Sequence, residues 1–514
     1  MQKAVNIPPR RILFWISLLS VAALLRFIVI FRTSMWIDDG ATLRTISLPW
    51  NEVVAERFRM GHFPWFFLAF KAWVTITGSA SLLMLRLPSL VACLATIPII
   101  AKIAKRIAGE RGAIAAALLA VIHGTLLRHS AELRMYSWMA LLGAAMVLAA
   151  LRFFEQPTLR RAGLLALIHL AFLQLHVSAI VWAIPFFALL ALIAAREKPA
   201  AAFWKGWAAA AFIPLLITIP FLIYLRTHVD MREFEKFDRV PSWMYVIGQP
   251  YELIVSLGAT SGSGHAWKIL PVLLLPFAAY VMIARWSTKE NSFASGARLS
   301  PRDTARLLIG CALLPPLIAF TISRFGIPIL GETRYYIAGT APLLALIGAA
   351  CVTWKWDANK AGRVLLIGAA ILAGIAAERT YDRVRRVLMR DGVGINALVA
   401  EIEKQVPAGT PIFLCHSVSF PEIAEFYFSK PLRYPLIKIH RDWNEEQVHA
   451  AVDPAIKPDA GAVVFFYKHV PESQEVRKGL EQSILLRVVD EKFPGNGAQQ
   501  RSKNDDPGYF WFQP

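Results

Sequence analysis

The sequence predicts a polytopic α-helical membrane protein with about eleven transmembrane helices and a C-terminal α/β domain. Of its 514 residues, 56% are hydrophobic and 18% are charged, which is too apolar for an ordinary water-soluble protein. Apolar runs of 15 to 23 residues recur along the chain, close to the roughly 20 residues that a helix needs to cross a bilayer core. Charged residues then become denser, from 54 of the first 377 residues to 37 of the last 137.

The basic excess of the chain lies in its hydrophobic part. The formal net charge is +19; residues 1–377 hold 37 Lys and Arg against 17 Asp and Glu, and residues 378–514 hold 18 against 19. Cytoplasmic loops of membrane proteins produce this distribution. The lipid bilayer is therefore the expected surrounding, and we expect no nucleic acid partner, since no soluble basic patch is left to bind its phosphates.

The apolar runs give the positions of the membrane spans. We predict spans at residues 12–31, 82–104, 110–127, 135–153, 162–177, 178–195, 207–225, 268–285, 306–322, 335–353 and 363–377. The first run is preceded by Lys3, Arg10 and Arg11, as in a signal peptide, but no convincing cleavage site follows, so we interpret it as an uncleaved helix. The stretch from Pro64 to Thr77 is short and contains Lys71, which favours an interfacial or re-entrant helix.

Loop charges predict the orientation of the chain. With a cytoplasmic N-terminus, basic clusters such as the one at residues 102–111 lie inside, as the positive-inside rule requires. We therefore expect a multi-pass protein of the cell inner membrane, with domain 1–377 in the bilayer and a periplasmic, extracytoplasmic tail. The outer segments 32–81 and 226–267 are too long to be mere connections, so we expect them to carry function. The mixed charges of residues 231–239 favour a solvated helix, with a mobile lid as the alternative.

Residues 378–514 are predicted to form the soluble extracytoplasmic α/β domain. A helical pattern covers Ile395 to Val406, and short apolar strands cover Pro411 to Cys415 and Ala462 to Tyr467. Of the four cysteines, three lie in apolar runs. The sequence therefore predicts neither a disulfide framework nor a cysteine metal site.

An acidic pair follows the first predicted span. Asp38 and Asp39 lie beside Trp36 at the expected membrane boundary, where a carboxylate suits a general base or a ligand for a divalent metal ion. The alternative is a solvated helix cap, because Asp is common in the first turn of a helix.

Arginines are unexpectedly frequent in the short outer loops. Arg128, Arg134, Arg324 and Arg334 lie there, and Arg134 and Arg334 each have a tyrosine close behind in sequence. A guanidinium and a phenol together suit a phosphate oxygen at the membrane surface, while snorkelling arginines and belt tyrosines are the alternative. The histidines of the hydrophobic part lack the spacing of metal ligands on one helix face and are interpreted as interior hydrogen-bonded side chains.

Several short motifs occur in a characteristic order. They are the acidic pair Asp38-Asp39, then Gly61-His62-Phe63-Pro64-Trp65-Phe66, Leu85-Arg86-Leu87-Pro88-Ser89, Glu132-Leu133-Arg134-Met135-Tyr136, and Arg334-Tyr335. Over residues 10–350 this order resembles the GT-C glycosyltransferases that use polyprenyl-phosphate-linked sugars. That group includes protein O-mannosyltransferases and the bacterial transferases that modify lipid A, as in aminoarabinose transfer, and lipopolysaccharide core.

The resemblance implies roles for individual residues. It makes Asp38 the catalytic acidic residue and Asp39 its neighbour, at a position where Glu is usual in the family. His62 and Pro64 match a His-Pro-Pro-Leu-like motif, although Phe63 replaces the first proline. Further substrate-binding candidates lie in the other motifs and in the outer loops. They are Arg86, Arg128, Arg134, Tyr136, Arg334 and Tyr335.

The implied reaction is transfer of a sugar from a polyprenyl-phosphate donor, on the outer face of the membrane, with inversion at the anomeric carbon. The acceptor would be a glycolipid, lipopolysaccharide, another polysaccharide or a protein. Such a donor needs no nucleotide, in keeping with the lack of a GxxxxGK[ST] phosphate loop in the sequence. No cofactor is certain, and a divalent metal at Asp38 and Asp39 is an option. The alternatives are a transporter or flippase of lipid-linked substrates, and a catalytically silent relative.

Overall fold

The computed structural model describes most of the hydrophobic part and the elements of the C-terminal part. The described residues are 9–197, 199–229, 276–284, 299–324, 333–353, 395–415, 420–439, 443–456, 461–466, 485, 488–489, 491–493, 499–501 and 508–512. The predicted span 363–377, residues 230–267 of the second outer loop and residues 378–394 lie outside them.

The chain divides into two compact units. The first, the helical unit, contains Met1–Ile30 and Trp50–Leu388; the second, the C-terminal unit, contains Phe31–Pro49 and Met389–Pro514. The predicted membrane domain includes residues 31–49, whereas in the structure these residues group with the C-terminal residues. The C-terminal unit is therefore discontinuous in sequence.

The described part of the helical unit consists of helices and one 3₁₀ helix. The helices are α1 (Pro9–Arg32), α3 (Trp50–Arg59), α4 (Trp65–Thr77), α5 (Leu82–Ile122), α6 (Gly124–His129), α7 (Tyr136–Glu155), α8 (Leu159–Leu173), α9 (Ser178–Glu197), α10 (Ala201–His228), α11 (Pro301–Arg324) and α12 (Thr340–Thr353), with the 3₁₀ helix at Thr333–Gly339. Residues 276–284 are also helical. The last two residues of α1 belong to the C-terminal unit.

Six helices among the described residues are long and apolar enough to cross a membrane. They are Arg11–Arg32, Leu82–Ile122, Tyr136–Glu155, Ser178–Glu197, Ala201–His228 and Arg334–Thr353. Helix α8 covers most of the predicted span 162–177 but has only 15 residues. Helix α4 is a separate apolar helix of 13 residues, as predicted for this stretch. The total of eleven crossings stays a prediction.

Helix α5 contains a break where the sequence predicts the end of one span and the start of the next. Ala108 has φ −130° and ψ 24°, and Gly109 has φ 65° and ψ −156°, so neither is helical. A positive φ with this ψ is accessible essentially to glycine alone. The two predicted spans 82–104 and 110–127 therefore correspond to two helices that meet at this break.

Ion pairs join the kink to neighbouring helix ends. Glu110 pairs with Arg11 at the start of α1 and with Lys105, whose Nζ lies 2.9 Å from the carboxylate. Nη2 of Arg106 lies 2.9 Å from Oε1 of Glu155, at the end of α7. The start of α1, the kink and the end of α7 therefore lie at one end of the bundle, as expected for segments on one side of a membrane.

Small residues allow the helices to approach closely. A Cβ at Gly348 of α12 would lie 2.5 Å from the Cα of Ala116 in α5, and a Cβ at Gly143 of α7 would lie 2.8 Å from the Cβ of Ala338. These distances are too short for a side chain. Glycine is thus required for the packing of α12 on α5 and of the 3₁₀ helix on α7.

The C-terminal unit contains a five-stranded sheet. Its strands are β1 (Ile412–Cys415), β2 (Leu436–Ile439), β3 (Ala462–Phe466), β4 (Gln499–Arg501) and β5 (Gly508–Phe512), in the order β2-β1-β3-β5-β4. β1 is parallel to β2 and β3, whereas β5 is antiparallel to β3 and β4. The helices that the structure describes in full in this unit are α2 (Ile37–Ser47), α13 (Ile395–Gln405), α14 (Phe420–Tyr427) and α15 (Glu445–Val452).

The core of this unit lies on the sheet. Phe413, Val464 and Phe512 from three strands pack with Val448 and Val452 of α15. The predicted helix at Ile395 and the predicted strands at residues 411–415 and 462–467 all form, within a residue or two of their predicted ends.

Candidate functional site

The acidic pair lies in the first turn of α2. Trp36 precedes the helix with extended backbone, at φ −119° and ψ 176°. Oδ2 of Asp39 accepts a hydrogen bond of 3.3 Å from the N–H of Trp36, and the Asp39 residue is 1% exposed. This is one half of a capping box; the indole of Trp36 is a donor only, so it cannot supply the reciprocal acceptor. Asp39 therefore acts as a helix cap.

Asp38 has a different environment from its neighbour. It is half-buried, and its backbone carbonyl accepts a hydrogen bond of 3.2 Å from Oγ1 of Thr42. The positive end of the α2 dipole favours negative charge in this turn. The helix-cap alternative thus describes Asp39, and Asp38 is the better candidate for chemistry.

A second group of predicted residues comes together in the helical unit. We call it the arginine–aromatic cluster: Arg57, His62, Phe67, Arg134, Tyr136, His176, Arg334 and Tyr335. Its members come from α3, the α3–α4 loop, α4, the residues just before α7 and its first residue, the α8–α9 loop, and the 3₁₀ helix. Five of them are predicted site residues from three distant stretches of sequence.

Phe67 lies between two of the arginines. The Cζ atom of Arg57 lies 4.6 Å from the centroid of the Phe67 ring, and the Cζ of Arg134 lies 5.7 Å from it. Arg57, Arg134 and Phe67 are all buried. The aromatic face stabilises both cations at these distances, so two guanidiniums are held beside one ring.

Arg334 lies against the two tyrosines of the cluster. Its Cζ lies 5.7 Å from the ring centroid of Tyr136 and 5.5 Å from that of Tyr335. The two tyrosine rings meet edge to face at 6.3 Å. Tyr335 is the tyrosine predicted to accompany Arg334, and Tyr136, predicted to accompany Arg134, also lies against Arg334.

His62 is buried among the positive charges. Its ring centroid lies 5.4 Å from that of His176, and Nδ1 has no hydrogen-bond partner among the described residues. Burial is the main reason that the pKa of His62 falls well below its usual 6.5, and the charge of Arg134 lowers it further. His176, Arg57 and Arg334 add to this effect. His62 is therefore a neutral imidazole at physiological pH.

A hydrogen-bond network fixes the 3₁₀ helix in the cluster. Nδ1 of His176 accepts a bond of 3.2 Å from the N–H of Ser178 and lies 2.8 Å from its Oγ. Oγ of Ser178 donates to the carbonyl of Tyr335 at 3.3 Å, and the rings of His176 and Tyr335 stack at 4.8 Å. These contacts hold the residue that follows Arg334.

Arg128 lies beside the cluster in an ion-paired group of its own. Nε of Arg128 donates to Glu132 at 2.9 Å, and Nδ1 of His129 lies 2.5 Å from the same carboxylate. Burial alone would raise the pKa of Glu132, but the charges and hydrogen bonds of His129 and Arg128 outweigh burial and lower it strongly. His129 packs against Tyr136, with ring centroids 5.3 Å apart.

Arg86 lies inside the bundle. It is 1% exposed, and Nη1 donates to the carbonyl of Ile30 near the end of α1 at 2.5 Å. This contact satisfies a carbonyl in the last turn of a helix. The structure thus gives Arg86 a packing role, and its role towards substrate stays a prediction.

Three members of the cluster, Arg57, Phe67 and His176, are not among the predicted site residues. In the sequence, Arg57 is one of two nearby arginines in a polar stretch, and their spacing does not indicate that Arg57 is buried while Arg59 is more exposed. His176 was interpreted as an interior hydrogen-bonded histidine, which it is, but its stacking on Tyr335 depends on a contact 159 residues away in sequence. No local signal singles out Arg57 or His176, and Phe67 is one of several aromatic residues in the stretch 64–77.

Metal ligation is not indicated by the residues that can be described. No group of three or more His, Cys, Asp and Glu side chains there could hold a metal ion. Asp38 and Asp39 supply two carboxylates, one of which caps α2.

Neither a protein-family model nor a curated protein matches the sequence. Solved structures do. ArnT from Cupriavidus metallidurans bound to undecaprenyl phosphate is 13% identical, with a TM-score of 0.52, over 98% of this chain and 98% of that chain. ArnT from the same organism in the apo state is 14% identical, with a TM-score of 0.51, over 96% of this chain and 97% of that chain.

An archaeal protein also matches. The oligosaccharyltransferase AglB from Archaeoglobus fulgidus, in complex with an inhibitory peptide and a dolichol-phosphate, is 12% identical with a TM-score of 0.50. The match covers 96% of this chain and 74% of that chain. At such identities the likeness is one of fold. With six candidate spans among the described residues, the chain is thus a multi-pass membrane protein with the GT-C-type fold.

Proposed function

We propose that the chain is a glycosyltransferase that moves a sugar from a polyprenyl-phosphate donor to an acceptor hydroxyl outside the cytoplasm. The observation that supports this most directly is the arginine–aromatic cluster, where Arg57, Arg134 and Arg334 surround a neutral His62. Three cations held beside aromatic rings suit a phosphate on a lipid. The ArnT and AglB structures each contain a lipid phosphate, which supports the same ligand class here.

The cluster would act on the leaving group. In the donor the phosphate is a diester with one negative charge. When the bond between the anomeric carbon and the phosphate oxygen breaks, its electron pair stays on oxygen, and the phosphate becomes a monoester with a second charge. Guanidiniums stabilise that second charge more than the first, so the cluster favours the transition state over the bound donor.

Asp38 would act on the acceptor. Its carboxylate takes the proton of the attacking hydroxyl while the oxygen forms the new glycosidic bond to the anomeric carbon. Attack opposite the departing phosphate inverts that carbon. Asp39 would support the reaction by capping α2, because its carboxylate accepts from the Trp36 N–H. The acceptor class, whether glycolipid, lipopolysaccharide, polysaccharide or protein, follows from neither group of residues.

The proposal keeps the predicted placement of the chain. We place it in the cell inner membrane with a cytoplasmic N-terminus, a membrane domain at residues 1–377 and a periplasmic domain at residues 378–514. About eleven crossings, as predicted from the sequence, give this arrangement.

The acidic pair offers a matched test. Asp38→Asn should lower transfer from a radiolabelled polyprenyl-phosphate sugar by about 10²- to 10⁴-fold, since it removes the base. Asp39→Asn should retain activity within about tenfold, since an amide oxygen can still cap the helix. The assay uses membranes with matched protein levels. Near wild-type transfer by Asp38→Asn would refute the assignment, and movement of intact donor across vesicles without sugar transfer would favour the flippase instead.

A further inference from the structure

The segment that carries Asp38 is packed within the C-terminal unit. Phe31–Pro49 forms one compact unit with Met389–Pro514, and α2 packs against α14. This contact could not be predicted from sequence, because more than 370 residues separate the two helices. The acidic turn is thus supported by the α/β unit.

Two hydrogen bonds join the residues just before α2 to the later helices of the C-terminal unit. The N–H of Met35 donates to the hydroxyl of Tyr427, the last residue of α14, at 2.9 Å. Oγ of Ser34 donates to Oδ1 of Asn396 in α13 at 2.5 Å. Met35 is 2% exposed and precedes the cap residue Trp36, so its N–H lies outside the hydrogen bonds of α2. The Tyr427 hydroxyl therefore satisfies a buried donor that the helix cannot satisfy.

We infer that Tyr427 is a positioning residue for Asp38, and that the C-terminal unit is in this way part of the catalytic apparatus. The inference rests on the proposed function, in which Asp38 is the base. Met35 is three residues before Asp38, and the chain between them turns directly into α2. A small displacement of a base is enough to slow a reaction severely, since about 1 Å costs up to 10²-fold in rate.

The test compares two Tyr→Phe variants of the full-length protein. Tyr427→Phe removes the hydroxyl and keeps the ring. Tyr434→Phe is the control: its hydroxyl donates to the carbonyl of Val406 at 3.0 Å within the same unit. Hydrogen–deuterium exchange of the peptide containing Met35 should become at least about tenfold faster in Tyr427→Phe, because an N–H without its acceptor loses protection. It should stay unchanged in Tyr434→Phe.

Kinetics of the same proteins separate positioning from general stability. Tyr427→Phe should lower kcat about 10- to 100-fold while KM for the donor stays within about twofold, because the arginine–aromatic cluster is unaltered. Ser34→Ala should also speed up exchange of the peptide containing Met35 and lower kcat, but by smaller factors than Tyr427→Phe. Tyr434→Phe should match the wild type in both readouts.

Each outcome is decisive. Unchanged exchange in Tyr427→Phe would refute the contact. Faster exchange with an unchanged kcat would refute the positioning role, and so would equal losses in both Tyr→Phe variants. If the wild-type protein transfers no sugar, the proposed function fails and the positioning of a base fails with it, whereas the exchange data still decide whether Tyr427 holds the segment.

Discussion

At the scale of single residues, Arg57 shows how one helix places two arginines in different environments. Its guanidinium is buried above Phe67, with Nη2 3.9 Å from Oε1 of Glu56. Arg59, two residues later, pairs closely with Glu56 at 2.8 Å and is much more exposed. The first charge points towards the cluster, and the second belongs to a surface ion pair.

This contrast yields a prediction for donor use. Arg57→Gln should lower kcat/KM for the polyprenyl-phosphate donor by about 10²-fold, since one charged donor to a developing anion contributes roughly 3 kcal/mol. Arg59→Gln should stay within about twofold, because exposed ion pairs contribute little. Transfer rates at matched expression, with donor varied below KM, measure both. Equal losses in the two variants would show that the effect is structural.

His62 predicts a pH dependence of stability. Its folded pKa lies below the unfolded value of about 6.5, so the unfolded chain binds more protons as pH falls through this value. The folded state therefore loses stability as pH falls below about 6.5, by at most about 1.4 kcal/mol per pH unit.

Melting temperatures measure this effect. Between pH 7.5 and 5.5, the melting temperature of the donor-free wild-type protein should fall further than that of His62→Gln, because the glutamine side chain does not titrate. The other titrating groups are common to both proteins, so the difference isolates His62. Parallel curves would contradict a neutral buried imidazole.

At the scale of elements, the kink of α5 depends on one glycine. The backbone of Gly109 has a conformation that other residues avoid, although the space around it is open. Gly109→Ala should therefore destabilise the protein by about 1–3 kcal/mol through backbone strain alone.

Gly163 of α8 is the matched control for this substitution. It also has open space around it, but no positive φ. Gly163→Ala should be neutral or stabilise by up to about 1 kcal/mol, because alanine favours a helix. Thermal melting in one detergent compares the two. A lower melting temperature for Gly163→Ala alone would contradict the assignment of strain to Gly109.

Most elements could be predicted from the sequence because their signals are local. The long apolar runs predicted α1, α7, α9 and α10, and the charged residues at 102–111 predicted the break in α5. The residues of the 3₁₀ helix were assigned to the start of a regular span, since hydropathy does not distinguish the two helix types. The 3₁₀ helix also packs closely on Gly143, a contact with a distant glycine that no local pattern indicates.

At the scale of the whole molecule, sequence predicted which loops share an end of the bundle. The start of α1, the kink and the end of α7 meet through Arg11, Glu110, Arg106 and Glu155. The arginine–aromatic cluster includes Tyr136 at the other end of α7, which is about 30 Å away for a 20-residue helix. Predicted inner and outer segments thus gather at opposite ends, as loop charge indicates.

The assignment of residues 31–49 could not be predicted. Neighbours in sequence usually pack together, and the acidic segment lies directly between a membrane helix and α3. Its hydrogen bonds reach Asn396 and Tyr427 instead, and a contact between residues so far apart leaves no periodic pattern in the chain. Arg57 and His176 were missed for the same reason.

The discontinuity of the C-terminal unit also constrains biogenesis. A ribosome makes Phe31–Pro49 early, but residue 389 follows only after about 340 more amino acids, or roughly 20 to 70 seconds at ordinary elongation rates. During that interval the nascent acidic stretch has none of its final neighbours, while membrane insertion proceeds. The acidic turn can therefore mature only after residues beyond 389 have been made, so an unfinished polypeptide lacks the final surroundings of Asp38.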